Sequence, residues 1–234
     1  MGTTFTTLLD LVLPAACAGC GASARTGICP TCTADLAQEP TQRRPRPSPP
    51  GLPVCLSGGD YDGTRRALIL AYKERNQHSL AGPLGDALGA VIRVGWPGPG
   101  PVVVVPVPGT AASVRARHGD HMLRLARRAA AGLCGVGCPA AVAVALRALP
   151  KADSAHLDRV QRAAAAREAF AVRRRWRDGP RTAALRALAD EGAVVLVDDV
   201  LTTGSTLAAA SGKLLEIGVP VTFAATLAAT RLRR

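Results

Sequence analysis

The chain has 234 residues, of which 48% are hydrophobic and 3% aromatic, with a formal net charge of +12. That length holds one medium domain and a small accessory piece, with a core built of Ala, Val and Leu. So few aromatics argue against a base-stacking platform for single strands, and no apolar run reaches the ~18 residues of a membrane-spanning helix. The positive charge has two readings: a surface for nucleic acid or polyphosphate, or the Arg-, Ala- and Gly-rich composition of a GC-rich genome, since only Lys73, Lys151 and Lys213 are lysines.

The N-terminal "LLDLVLPAAC" (8–17) is superficially like a lipoprotein cleavage site. It lacks a positively charged leader region and is interrupted by Asp10, so the expectation is an unprocessed, cytoplasmic chain. Cys17-x2-Cys20 and Cys29-x2-Cys32 follow, separated by eight residues. Each CxxC lets two thiolates grip one ion, and two grips complete a tetrahedral S4 site for zinc. Redox-active or disulfide cysteines are the alternative, disfavoured in a reducing compartment. With four thiolates and no open position, the zinc would be structural, and a segment this short would need it to fold. Cys55, Cys134 and Cys138 share no such pattern and read as buried or incidental thiols, with Gly135, Gly137 and Pro139 marking a surface loop around Cys134 and Cys138.

"PTQRRPRPSPPGLPV" (40–54), with five prolines within 45–53 and clustered arginines, reads as an irregular linker. The expected organisation is therefore a zinc-binding segment (1–39), a linker (40–54) and an α/β domain (55–234). Within that domain "VVVVPV" (102–107) reads as a strand buried on both faces. Residues 113–133 read as one amphipathic helix and "AVAVALRAL" (141–149) as a strand. Helices are expected over 155–169 and 181–192, the latter stopped by Gly192. "AVVLVDD" (193–199) is a second buried strand. Residues 205–218 read as a helix with a hydroxyl cap and Gly218 as its stop, and 220–228 as the last strand. Alternating strands and helices imply βαβ units and a mainly parallel sheet.

The stretch "VVLVDDVLTTGST" (194–206) concentrates the chemistry. Adjacent strand residues point to opposite faces, so Asp198 and Asp199 need not share one task. A carboxylate can accept both hydrogens of a ribose diol, or help hold magnesium. The hydroxyl- and glycine-rich turn at a helix start can cradle a phosphate with backbone N–H groups. A diol grip followed closely by a monophosphate grip matches a ribose 5-phosphate.

This stretch resembles the phosphoribosyl-pyrophosphate motif of type I phosphoribosyltransferases. With the four-cysteine knuckle, "YDGTRRALILAYKER" (61–75) and "VPVP" (105–108), the chain resembles the ComF family, also called competence protein F or amidophosphoribosyltransferase-like proteins. The resemblance implies a type I phosphoribosyltransferase α/β fold, a parallel sheet flanked by helices, with a zinc-bearing N-terminal segment. It implies ribose binding by Asp198 and Asp199, and 5-phosphate binding by Thr202, Thr203, Gly204, Ser205 and Thr206. The loop Val107, Pro108, Gly109 and Thr110 would face the pyrophosphate, with Lys73 and Arg117 neutralising it and Mg2+ accompanying it. Family members usually read Arg-Gly-x-Asn/Asp-Gln/His where this chain reads Arg117-His118-Gly119-Asp120-His121. They carry Gln and Asn where Ser154 and Ala165 flank Arg162.

The implied reaction is transfer of a phosphoribosyl group to or from a nitrogenous acceptor, with His118 and His121 as candidate proton acceptors, each otherwise a solvent-facing histidine. A second reading is a binding module for DNA uptake and natural competence, in which the site senses phosphoribosyl pyrophosphate and basic segments hold single-stranded DNA. Its candidates are Arg115–Arg128, "RRRWR" (173–177) with Trp176, and "RLRR" (231–234). The DNA-uptake machinery would then be a partner.

Overall fold

The computed structural model describes residues 16–150 and 168–231. The helix expected over 155–169, with Arg162 and its flanking Ser154 and Ala165, falls almost wholly outside these. So do residues 8–15 and 232–234.

A six-stranded sheet organises the chain. Its strands are β1 (Thr41–Arg43), β2 (Cys55–Ser57), β3 (Val102–Pro106), β4 (Ala140–Val142), β7 (Ala193–Leu201) and β8 (Phe223–Ala229). The spatial order is β1-β2-β8-β7-β3-β4, and only the β1–β2 pair is antiparallel. A separate antiparallel pair joins β5 (Leu146–Ala148) to β6 (Phe170–Val172). The fold is α/β with a mostly parallel sheet, as the alternating pattern predicts.

Helices cover both faces. Odd positions of β7, such as Val195 and Val197, meet α3 (Ala81–Gly95) and α5 (His121–Gly135) through Leu88, Ile92, Met122 and Leu125. Even positions, Val194 and Leu196, meet α6 (Pro180–Glu191) and α7 (Ser205–Leu215) through Leu185, Leu207 and Leu214. Two-sided burial explains why β3 is entirely buried and reads as an unbroken apolar run.

Four sequence expectations are corrected. The helix expected over 113–133 is two: α4 (Ala111–Ala116) and α5, broken where His118 and Gly119 take φ of 51° and 137° and Asp120 caps the second. The strand expected over 141–149 is divided between β4 in the large sheet and β5 in the small one. Residues 41–43 pair with β2 inside the supposed irregular linker, because they lie between Pro40 and Pro45 and keep their own backbone donors. Cys134 ends α5 rather than lying in a loop.

The scarcity of aromatics shapes the packing. Helix α3 approaches α5 so closely that a Cβ at Gly85 would stand 2.5 Å from Arg128 Cβ and Cγ. Gly85→Val is expected to force these helices apart and cost about 1–3 kcal/mol. Urea unfolding would register this as a lower midpoint with an unchanged slope; an unchanged midpoint would mean the contact adjusts freely.

Candidate functional site

The chain leaves β3 through α4 and α5 toward β4, on one side, and leaves β7 through α7 toward β8, on the other. The order reverses between β3 and β7, which pair in parallel from Val102↔Ala193 to Pro106↔Val197. Such a reversal opens a binding crevice beyond the carboxyl ends of the two strands. Each strand delivers one informative loop there. After β3, Val107 donates its N–H to Val197 O at 2.9 Å and so ties the loop to β7. Pro108, Gly109 and Thr110 follow, half-buried. Thr110 Oγ1 accepts the Ser113 N–H at 3.2 Å and starts α4.

At the end of β7, Asp199 is buried. Its Oδ2 accepts from Lys73 Nζ at 2.6 Å and pairs with His121 Nε2 at 3.1 Å. Lys73 lies in the last turn of α2 (Gly63–Glu74), and His121 opens α5, so the carboxylate joins three elements. Tyr72 reinforces the junction by donating its hydroxyl to His121 O at 3.0 Å. Burial opposes ionisation of Asp199, but the His121 hydrogen bond and the Lys73 ammonium outweigh it and hold the group down to about 2. Asp198 is half-buried on the other face, its Oδ1 accepting the Asp199 N–H at 2.9 Å. Burial first, then the charge of Asp199, push Asp198 up to about 8.

The hydroxyl-rich loop follows. Thr202, Thr203 and Thr206 are exposed and Ser205 half-buried. Gly204 is buried in a left-handed conformation (φ 78°) at the start of α7, so no hydroxyl occupies the capping position expected from the sequence. Thr203 Oγ1 donates to Ser205 Oγ at 3.1 Å instead. A Cβ at Gly204 would stand 2.9 Å from Leu52 and 3.2 Å from Pro45. The proline-rich segment therefore lies against this loop, a contact that the linker reading missed.

A cleft of about 440 Å³ opens beside Lys73, lined also by Glu74, Asn76, Ser113 and Arg117. Arg117 Nη2 pairs with Glu74 Oε1 at 3.0 Å. Lys73 and Arg117, expected from the sequence resemblance on the pyrophosphate side, thus border one cleft, each with a carboxylate partner. His118 is exposed, whereas His121 is not the solvent-facing histidine weighed from the sequence. The only available signal was its place just after Asp120, on the inward side of the helix start. Trp176 packs against the core on the α7 side, so its ring is engaged in packing.

The Sγ atoms of Cys17, Cys20, Cys29 and Cys32 lie within 4.8 Å of one another, with Cys20 and Cys29 at 3.6 Å. Sulfurs on a tetrahedral zinc would stand about 3.8 Å apart, so the four cysteines fit a structural metal such as zinc. Burial resists ionisation of Cys17, but the backbone N–H groups of Cys20, Cys29 and Gly19 overcome it and bring the thiol down to about 6. The segment is docked by buried Arg65, which donates to Asp35 O at 2.8 Å and Leu227 O at 3.2 Å. Sequence reading had no signal for that arginine. Among the described residues, the group of three or more His, Cys, Asp or Glu side chains that converges closely enough to hold one ion is this cysteine cluster. Asp198 and Asp199 diverge, and Asp199 is already engaged.

No helix among the described residues is long and apolar enough to cross a membrane. Comparison of the chain with protein-family models matches none of them, and comparison with curated proteins returns no relative.

Two predictions follow from these groups. Purified protein is expected to carry one zinc per chain, and chelation to lower its melting temperature; full stability without metal would show the cysteines to be dispensable. The aspartates act oppositely on stability. Asp199 has its folded pKa below the ordinary 3.8, so its contribution is present above about pH 4 and lost as pH falls through 2. Asp198 has its folded pKa above 3.8, so stability falls as pH rises from about 4 to 8. The stability advantage of Asp198→Asn over the parent should therefore grow between pH 4 and pH 8, and a gap that stays constant in urea unfolding would contradict this.

Proposed function

We propose that the chain is a phosphoribosyltransferase-type protein of the ComF family that binds phosphoribosyl pyrophosphate across the carboxyl ends of β3 and β7. The observation that carries this reading is the carboxyl end of β7 beside β3, where Asp198, Asp199 and the hydroxyl-rich loop before α7 follow in sequence. Lys73, paired with Asp199, borders a cleft with Arg117. The loop, from Thr202 to Thr206, would receive the 5-phosphate on backbone N–H groups and hydroxyls at the positive end of α7. Aspartate at the end of β7 would accept hydrogens from the ribose diol. Lys73 and Arg117 would meet the diphosphate.

In the reaction the bond from C1 to the diphosphate oxygen breaks as an acceptor nitrogen bonds to C1. The diphosphate leaves with the electron pair, and the acceptor nitrogen gives up a proton. Charge builds on the leaving group, so positioned cations lower the barrier without a covalent intermediate. Magnesium would arrive with the diphosphate as its counter-ion. Val107 to Thr110, fixed to β7 by the Val107 N–H, would close the crevice on the diphosphate side. The acceptor would be a nitrogenous base.

Calorimetric titration of zinc-loaded protein with phosphoribosyl pyrophosphate and magnesium tests the reading. Binding is expected, weakened about ten- to a hundredfold in the double variant Asp198→Asn/Asp199→Asn, as charged hydrogen bonds are lost. A folded, zinc-loaded parent that fails to bind would overturn it.

A further inference from the structure

The two aspartates at the end of β7 occupy different environments. The Asp199 side chain is 8% exposed, and its Oδ2 serves both Lys73 at 2.6 Å and His121 at 3.1 Å. It faces the side of the sheet covered by α5, whose core residues include Met122 and Leu125. Alternation places Asp198 on the other side, the side of α7 and the hydroxyl-rich loop. A diol approaching Asp199 would have to compete with two donors already in place. Opening that contact would also leave a buried carboxylate and a neighbouring ammonium without their partners.

The cleft shows what this arrangement supports. Of its two cations, Lys73 is backed by Asp199 and Arg117 by Glu74. A four-carbon lysine stem loses much conformational entropy when its head is fixed, so a prior anchor reduces the cost of ligand binding. His121 supplies the third point of the junction. Its bond to Asp199 holds the carboxylate while Lys73 contacts the ligand.

Resting on the phosphoribosyl reading above, we propose that Asp199, held by His121, is a positioning residue for Lys73. It anchors the ammonium at the edge of the Lys73–Arg117 cleft, where Lys73 meets the diphosphate, and the sugar hydroxyls fall to Asp198 alone. The division assigns the two halves of one ligand to the two faces of β7.

Three probes separate the halves: ribose 5-phosphate, inorganic pyrophosphate with magnesium, and phosphoribosyl pyrophosphate. Each is titrated into the full-length, zinc-loaded protein. Asp199→Asn is expected to weaken pyrophosphate and phosphoribosyl pyrophosphate about tenfold or more, and ribose 5-phosphate by less than about twofold. Lys73→Gln, at a partly exposed position, should match it and covers the case in which Asp199→Asn fails to fold. Asp198→Asn should weaken ribose 5-phosphate and spare pyrophosphate. His121→Gln retains a side-chain donor within reach of Asp199 and should keep pyrophosphate affinity, while His121→Leu should lose it. Equal loss of ribose 5-phosphate binding in Asp198→Asn and Asp199→Asn would overturn the division of roles alone. So would identical behaviour of the two His121 variants. A parent that binds none of the three probes would overturn the phosphoribosyl reading, and the positioning role with it.

Discussion

A parallel sheet covered on both faces has no place for charge along its central strands. β7 obeys this constraint for five residues, Ala193 to Val197, all buried. Polar chemistry is displaced to the strand end, where Asp198 and Asp199 follow at once. Even there, Asp199 remains buried and is tolerated because Lys73 and His121 reach it. Those two residues come from helices that are themselves fixed by the sheet. The position of α2 and α5, the register of β7 against β3 and the charge state at the strand end are therefore parts of one arrangement.

The near absence of aromatics has a second consequence. A core of Ala, Val and Leu fills space through close backbone approach rather than through large rings. Gly85 against Arg128 on the α3–α5 contact is one result. At Gly204, the proline-rich segment contributes Pro45 and Leu52 as packing groups over the loop. Proline can serve there because its fixed φ leaves little entropy to lose on docking. What composition marks as a spacer is partly a covering layer, and its first residues are an edge strand.

The parts legible in the sequence were those written in local pattern. The valine runs of β3 and β7 predict buried strands, the CxxC pairs predict the thiol cluster, and Gly192 predicts a helix stop. The misreadings share another cause. Residues 113–133 are amphipathic throughout, yet His118 and Gly119 adopt positive φ because the chain must turn there to start α5 at Asp120. Residues 141–149 have one strand-like composition but serve two sheets. Arg65 and His121 look like surface residues by type, and only tertiary partners make them buried. At the candidate site the loop and aspartates could be picked out as a motif. The asymmetry between Asp198 and Asp199 could not, since it depends on which helices cover each face.

Helix α2 connects these observations physically. Near its first turn Arg65 holds Asp35 O of the cysteine-bearing segment and Leu227 O of β8. In its last turn Lys73 holds Asp199. A twelve-residue helix spans about 18 Å and bends little over that length. A rotation or slide of α2 at the Arg65 end therefore displaces Lys73 at the other. The buried Arg65 guanidinium resists that displacement, because leaving its carbonyl partners would strand a charge in the interior. Metal in the cysteine cluster would stiffen the segment that carries Asp35. The cluster lies remote in sequence from β7, yet one helix contacts both its segment, through Arg65, and Asp199, through Lys73.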